Sequence, residues 1–415
     1  MTIDELMCQI RQEFGFEPTA DQDNALRTFS RFMTDADEYP VMILRGSAGT
    51  GKTSLAGAIV RTLRRLKAKV QLLAPTGRAA KVFSLNAGSP ASTIHRRIYR
   101  ERTFNGTDGL FNLNQNLFRD TLFMVDEASM VSLATGNTVF GSGRLLDDLV
   151  QYVYGGSNCR LLLIGDKAQL PPVGEAESPA LRADVLACYG LHVYECDLSE
   201  VLRQSRDSGI LSNATAIRRM ITHDRATELP KIRFRGFADI SVVPGDELIE
   251  SLASSYAGVG MDETMVITRS NKRANIFNQG IRNMVLGREE ELTTGDMLMV
   301  VKNKYSLSPG FPALSFIANG DRAMVRRVRN VQSLYGFRFA DVSLEFPDYD
   351  HADMETTVIL DTLTSEAPAL TREQDTQLFQ RVMEDYADIS LKADRMKQLR
   401  EDNYYNAMQI KFATP

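Results

Sequence analysis

Residues 41–66 read VMILRGSAGTGKTSLAGAIVRTLRRL, and this stretch narrows the possible folds more than any other in the chain. An apolar run of strand character, VMILRG, enters a glycine-rich loop, GSAGTGKT, and leaves it as a helical pattern. The spacing G-x-x-x-x-G-K-[ST] between a strand and a helix is a phosphate cradle. Gly46, Gly49 and Gly51 let backbone N–H groups converge on phosphate oxygens at a helix N-terminus, where the helix dipole also favours an anion. Lys52 is placed to bridge the terminal phosphates, and the Thr53 hydroxyl to hold magnesium. The residues expected to touch a nucleotide here are Gly46, Ala48, Gly49, Thr50, Gly51, Lys52, Thr53 and Ser54.

Two further apolar runs supply the rest of a hydrolytic site. TLFMVDEASM (121–130) ends in paired carboxylates. Asp126 fits a magnesium role exerted through water, and Glu127 fits a general base that orients the attacking water. RLLLIGDKAQLPPV (160–173) reads as a buried parallel strand with its exit loop, and the loop at the carboxyl end of such a strand faces a ligand. Gln169 is thereby placed to sense a γ-phosphate, with Asp166 fixing its loop and Pro171-Pro172 stiffening it. Together these parts predict hydrolysis of a nucleoside triphosphate with Mg2+.

Composition bounds the setting. The chain has 415 residues, 43% hydrophobic and 24% charged, enough for two to four domains. Its longest apolar runs are too short to span a bilayer, and the N-terminus MTIDELMCQIRQEF alternates charged and apolar residues, unlike a signal peptide. Cys8, Cys159, Cys188 and Cys196 lack metal-ligand spacing and read as reduced thiols in a cytoplasmic protein with no membrane partner. A net charge of −5 argues against a blanket of positive charge for duplex DNA but leaves room for a narrow basic groove.

Two segments between Lys52 and Asp126 bear on what the hydrolysis drives. VQLLAPTGRAAKVF (70–83) is a strand, a turn with Pro75, Thr76 and Gly77, and a helix start carrying Arg78 and Lys81. ASTIHRRIYRER (91–102) holds Thr93, His95 and a run of arginines. Hydroxyls, helix N-termini and arginines along strand ends suit a phosphodiester backbone, although the arginines taken alone are more often a solvated helix face. RIYRERTFNGTDGLFNLNQNLF (97–118) has a turn-rich centre flanked by Phe104 and Phe111 and reads as a short hairpin. Residues 288–365 alternate strongly, as in MLMVV, RAMVRRV, DVSLEF and TTVIL, and suggest a small β-barrel. Its Lys302, Lys304, Arg322, Arg326, Arg327 and Arg329 either guide a strand or are simply solvated.

In the order GSAGTGKT, LLAPTGRAAK, STIH, VDEASM and GDKAQLPPV, these motifs resemble motifs I, Ia, Ib, II and III of superfamily 1 DNA helicases, most of all the RecD/Dda-like branch, subgroup B. EPTADQDNAL upstream, LSEVLRQSRDSGIL downstream, and VITRSNKRANIFNQGIR, TTGDMLMVVKNKY and FIANGD beyond it extend the resemblance over most of the chain. The resemblance implies an α/β fold of two RecA-like motor domains with ATP between them. Residues 1–197 would form the first, with a pin-like hairpin insertion at 97–119. Residues 198–287 would begin the second, 288–365 would form its inserted barrel, and 366–415 would return to it. By the same resemblance Gln22 reads adenine, Arg203 reaches the γ-phosphate, and Gln169 couples the γ-phosphate to a bound strand. Pro75, Thr76, Arg78, Thr93 and His95 take single-strand contacts, and the hairpin with Phe104 and Phe111 separates strands, unless it is an idle surface loop.

The implied activity is that of an ATP-dependent helicase moving 5′→3′ on single-stranded DNA and opening forked duplexes, in a RecD-like, exonuclease-associated setting of repair and recombination. A nucleotide-dependent single-strand-binding protein that does not unwind, or a different P-loop ATPase, are the competing readings. No stretch resembling motif V or VI occurs before Pro415. The expectation is therefore a truncated helicase that hydrolyses and unwinds poorly, against the alternative of a divergent member that closes its cleft another way.

Overall fold

A computed structural model of the chain describes residues 2–36, 39–104, 109–134, 141–200, 208–222, 228–261, 263–302, 304, 317, 319–347, 349, 351–367 and 369–413. The strands in chain order are β1 (Pro40–Gly46), β2 (Lys69–Ala74), β3 (Ala91–Thr93), β4 (Tyr99–Phe104), β5 (Gly109–Leu113), β6 (Thr121–Val125), β7 (Arg160–Gly165), β8 (His192–Leu198), β9 (Met297–Val300), β10 (Arg322–Leu334), β11 (Phe337–Phe346), β12 (Ala352–Ile359) and β13 (Met408–Phe412). Contacts divide them between a first unit, 1–103 with 109–242, and a second that holds 243–415.

The first unit is built on a six-stranded sheet in the order β3-β2-β6-β7-β1-β8, parallel at every pairing. Its inner strands are apolar on both faces, and alternate residues go to opposite sides. Met42, Leu44, Leu122, Met124, Leu162 and Ile164 pack under the helices Ile3–Phe14, Ala20–Thr34, Lys52–Arg65 and Gly77–Ala87. Val41, Ile43, Phe123, Val125, Leu161 and Leu163 face the helices Ile94–Ile98, Leu145–Tyr154 and Ala183–Ala187. The helices Ile3–Phe14 and Ala20–Thr34 begin with capping boxes, Thr2 with Glu5 and Thr19 with Gln22, so their first amides are satisfied locally. β4 and β5 form a separate two-stranded sheet, the hairpin expected within 97–119.

The first unit runs on to Val242 rather than stopping near Leu198. The helix Gly209–Thr222 explains the shift. Asp239 accepts from Gly209 N at 2.7 Å and from Ile210 N at 3.2 Å, and Asn213 holds Arg233 through both backbone groups. Residues 198–287 are expected to open a second parallel sheet. Beyond Leu198, which ends β8, their described part carries the helices Gly209–Thr222, Leu248–Gly258, Asn271–Gly280 and Ile281–Val285 and no strand, and Val242, Met265 and Ile267 are exposed.

In the second unit β10-β11-β12-β13-β9 form a closed barrel. Its interior is filled by Leu298, Val300, Val325, Val342, Leu344, Val358, Ile410 and Phe412 among others. Residues 366–415 are expected to return to a second motor domain; β13, within them, closes this barrel. β13 pairs parallel to β12 and antiparallel to β9, so it covers two strand edges that would otherwise be left unpaired. The helix Arg372–Asp385 packs Leu378 and Val382, with Leu399, against Phe337 and Phe339. Several of the barrel's basic residues are ion-paired within the unit: Lys302 with Asp375, Arg326 with Glu345, and Arg329 with Glu355. Burial lowers the pKa of Lys304, which donates to Thr356 Oγ1.

A buried ion cluster ties the barrel to the turn before it. Asp296 accepts from Arg282 Nε at 2.9 Å and Nη2 at 2.8 Å, from Arg288 Nη1 at 3.0 Å and from Thr293 N at 2.9 Å. The Arg282 guanidinium also lies 4.2 Å from the Phe412 ring centroid. With the Arg282 and Asp296 side chains only 5% and 1% exposed, Asp296→Asn strands a buried cation, at a cost of about 3–5 kcal/mol. Amide hydrogen exchange is expected to accelerate in β9 and β13 while β1 keeps its protection. Unchanged protection in β13 would show that the cluster is dispensable.

Candidate active site

All strands of the first sheet run the same way, so the loops after β6, β7 and β1 leave from neighbouring strand ends. The loop after β1 turns through Gly49 and Gly51, both at positive φ. Gly51 has a second reason to be glycine: a Cβ there would lie 2.5 Å from Gln22 Nε2. Gly51 begins the helix Lys52–Arg65, and no side chain caps it. The amides of Lys52, Thr53 and Ser54 therefore lack intrahelical acceptors at the positive end of the helix dipole, an arrangement suited to an anion. Lys52 Nζ donates to Gly46 O and, at 2.9 Å, to Ser47 O. Burial pulls the Lys52 ammonium below its usual pKa, while Asp166, Glu127 and Asp126 oppose that shift.

Gln22 sits under this loop almost fully buried. Its Nε2 donates to Thr50 O at 2.9 Å and its Oε1 accepts from Thr19 N at 3.0 Å. One side chain thus completes a helix cap and holds the phosphate loop from below.

After β6, Asp126 N continues the sheet by donating to Leu73 O, and Asp126 Oδ1 accepts from Glu127 N at 2.9 Å. Burial pushes the Asp126 carboxyl up to about 6, and the neighbouring Glu127 charge adds to the effect. Glu127 occupies the left-handed region at φ 53°, a costly backbone state for a non-glycine residue that is common where side chains are held for chemistry. It opens the short turn Ala128–Met130, in which Ser129 is fully buried. Ser129 Oγ donates to Gln169 Oε1 at 2.7 Å, tying the loop after β6 to the loop after β7. Asp166 organises the second loop, since its Oδ1 accepts from Ala168 N at 2.9 Å and its backbone carbonyl from Gln169 N. Asp166 Oδ2 also lies 3.7 Å from Arg218 Nη2, on the helix Gly209–Thr222.

Lys52, Asp126, Glu127 and the Gln169 loop thus come together. A divalent ion beside Thr53 and Asp126 would draw most of its ligands from phosphate and water, because no group of three His, Cys, Asp or Glu suited to a metal occurs among the described residues. β2 and β3 continue the same edge of the sheet beyond β6. There Thr76 and Thr93 act as N-caps, accepting from Ala79 N and Arg96 N, each at 3.2 Å, while each hydroxyl proton can still be donated. Arg78 is exposed after the half-buried Pro75. Burial lowers the His95 pKa, so the ring, 5.6 Å from Tyr99, is neutral near pH 7 and offers a hydrogen bond or a stacking face rather than charge. Arg203 lies outside the described residues, as do the side chains of Phe104 and Phe111. Sequence reasoning missed Ser129 and Arg218. Ser129 stood in view two residues beyond Glu127, whereas a lone arginine in a helical pattern carries no signal.

A family model described as an AAA domain matches residues 19–229, just over half of the chain. The ATP-dependent RecD2 DNA helicase of Deinococcus radiodurans is 27% identical over 319 residues, covering 74% of this chain and 40% of the relative. The ATP-dependent DNA helicase dda of Enterobacteria phage T4 is 24% identical over 291 residues, covering 68% of this chain and 60% of the relative. The chain therefore spans less than two thirds of the length of these relatives. A solved structure of Pif1 helicase from Bacteroides, in complex with ADP-AlF3 and ssDNA, aligns over 82% of this chain and 74% of that one, at 15% identity and a TM-score of 0.42.

The raised Asp126 pKa has a sign that can be measured. Folding favours its protonated form, so the penalty is absent below the unfolded pKa near 3.8 and complete above about 6. Asp126→Asn removes an ionisation cost of up to about 3 kcal/mol and keeps the acceptor for Glu127 N. The variant is expected to unfold at higher urea than wild type at pH 8, with the gain vanishing towards pH 4. Equal midpoints at pH 8 would contradict the burial penalty.

Proposed function

Because the chain belongs to the AAA-domain family, we propose that it is an ATP-driven DNA motor of the superfamily 1 helicase kind, acting in the cytoplasm, moving 5′→3′ on single-stranded DNA and opening forked duplexes. The observation that carries this reading is the strand order. It places Lys52, the Asp126–Glu127 pair and Gln169 at adjoining strand ends, and Thr76, Arg78, Thr93 and His95 further along the same edge. The curated relatives named above are ATP-dependent DNA helicases, which supports the same reading.

ATP would lie with its phosphates on the amides of Gly49 to Ser54 and its terminal phosphates against Lys52. Thr53 and Asp126 would hold a magnesium ion, which offsets phosphate charge when bound. Glu127 takes a proton from the water that attacks the γ-phosphorus, and ADP departs as the leaving group. The remaining Gln22 N–H is available to the adenine, and Arg203 is assigned to the γ-phosphate by its place in LSEVLRQ. Gln169 bonds to Ser129, two residues from Glu127, so movement of either loop on loss of the γ-phosphate reaches the other. The hairpin β4–β5 is assigned to strand separation, with Phe104 and Phe111 as stacking groups.

Single-stranded DNA is expected to stimulate ATP hydrolysis. Lys52→Ala should abolish turnover, and Glu127→Gln should keep ATP binding while hydrolysis falls by about 10²-fold or more. Turnover near wild type in Lys52→Ala, or no stimulation by DNA in the unaltered chain, would refute the reading.

Gln169→Ala is expected to leave ATP binding intact and remove the stimulation of hydrolysis by single-stranded DNA. If stimulation survives, Gln169 is not the coupling group.

A further inference from the structure

Arg218 is absent from every motif in the sequence, yet its side chain comes to Asp166, in the loop that follows β7. It is carried on the helix Gly209–Thr222, whose start is fixed by Asp239 and whose middle is fixed by Asn213. Its position is therefore set by the first unit's own packing. Arg218 Nη2 is 3.7 Å from Asp166 Oδ2, and the two side chains are 29% and 10% exposed. That separation is an ion pair without a directed hydrogen bond.

The other atoms of Asp166 are committed to the loop that carries Gln169, Oδ1 through Ala168 N and the backbone carbonyl through Gln169 N. A single carboxylate thus stands between the guanidinium and the loop. Arg218 is also close enough to Lys52 to depress its pKa, against the opposing effect of Asp166, Glu127 and Asp126. The two cations therefore lie in one region of charge, with Asp166 acting on Lys52 and paired with Arg218.

We infer that Arg218 reads the terminal phosphate of the nucleotide, exchanging part of its pairing with Asp166 for phosphate oxygens and so linking nucleotide state to the Gln169 loop. The inference rests on the proposed ATP site. A guanidinium suits this exchange better than an ammonium, because its planar fork presents separate N–H groups to a carboxylate and a phosphate at once. The pairing with Asp166 is loose enough to be given up, and Asp166 keeps its backbone donor when it is.

The test compares the affinities of the full chain for ATPγS and for ADP, each with magnesium, by equilibrium titration. Arg218→Gln, which keeps the stem and an amide for Asp166, and Arg218→Ala are both examined, with urea midpoints as a check on folding. The expected result is a loss of ATPγS affinity of about 10- to 100-fold, the scale of hydrogen bonds to a charged group, with ADP affinity within about threefold of wild type. Arg218→Lys should recover part of the difference. An unchanged ratio of ATPγS to ADP affinity, or an equal loss of both ligands, would overturn the assignment and leave Arg218 a packing partner of Asp166. Failure of the unaltered chain to bind either nucleotide would instead overturn the ATP site itself, and the role of Arg218 with it.

Discussion

Strands β6, β7 and β1 lie side by side because each is buried on both faces, and that double burial positions the chemistry. A strand apolar on both sides is stable only between two helical layers, and helices on both layers impose crossovers that keep the strands parallel. Parallel strands in this order deliver three loops of different chemistry to one edge. The glycine loop brings backbone donors and Lys52. The loop after β6 brings two carboxylates, and the loop after β7 brings an amide. No single loop makes the candidate site, and the sheet assembles it from three.

The site is held in a state that costs stability. Asp126 ionises against burial, Lys52 is charged against burial, and Glu127 sits in a left-handed backbone conformation. Each is tolerated because the surroundings are over-determined: Gln22 holds the phosphate loop, Ser129 holds Gln169, and Asp166 holds Ala168. Such supports are the ordinary means of keeping charged groups ready for a reaction.

The parts legible in the sequence were those whose chemistry is local. The glycine loop, the acidic pair and the GDKAQ loop each carry a fixed spacing at the end of an apolar run. The hairpin showed in its turn residues, and four barrel strands showed in their alternation. The barrel's last strand did not, because Gln409 and Lys411 alternate with its apolar residues yet are themselves buried, and charged helices precede it. The extent of the first unit was illegible for a related reason. It depends on Asp239, Asn213 and Arg218 meeting partners distant in sequence, and no periodicity records such meetings. Gln22 was read as a contact to the base, and its bond to Thr50 O became evident only once the loop had a shape.

The closure of the barrel by β13 has a consequence for how the chain comes into being. β9 and β12 each wait for a strand that is made only after the helices Arg372–Asp385 and Lys392–Glu401. On the ribosome, β9 to β12 emerge with two unsatisfied edges, and such edges recruit other strands. In the first unit β1 likewise waits for β7 and β8, but that sheet has all its strands by Leu198, before β9 is made. Newly made chains therefore pass through an interval in which one half is finished and the other is adhesive, and that interval is where a chaperone would be needed.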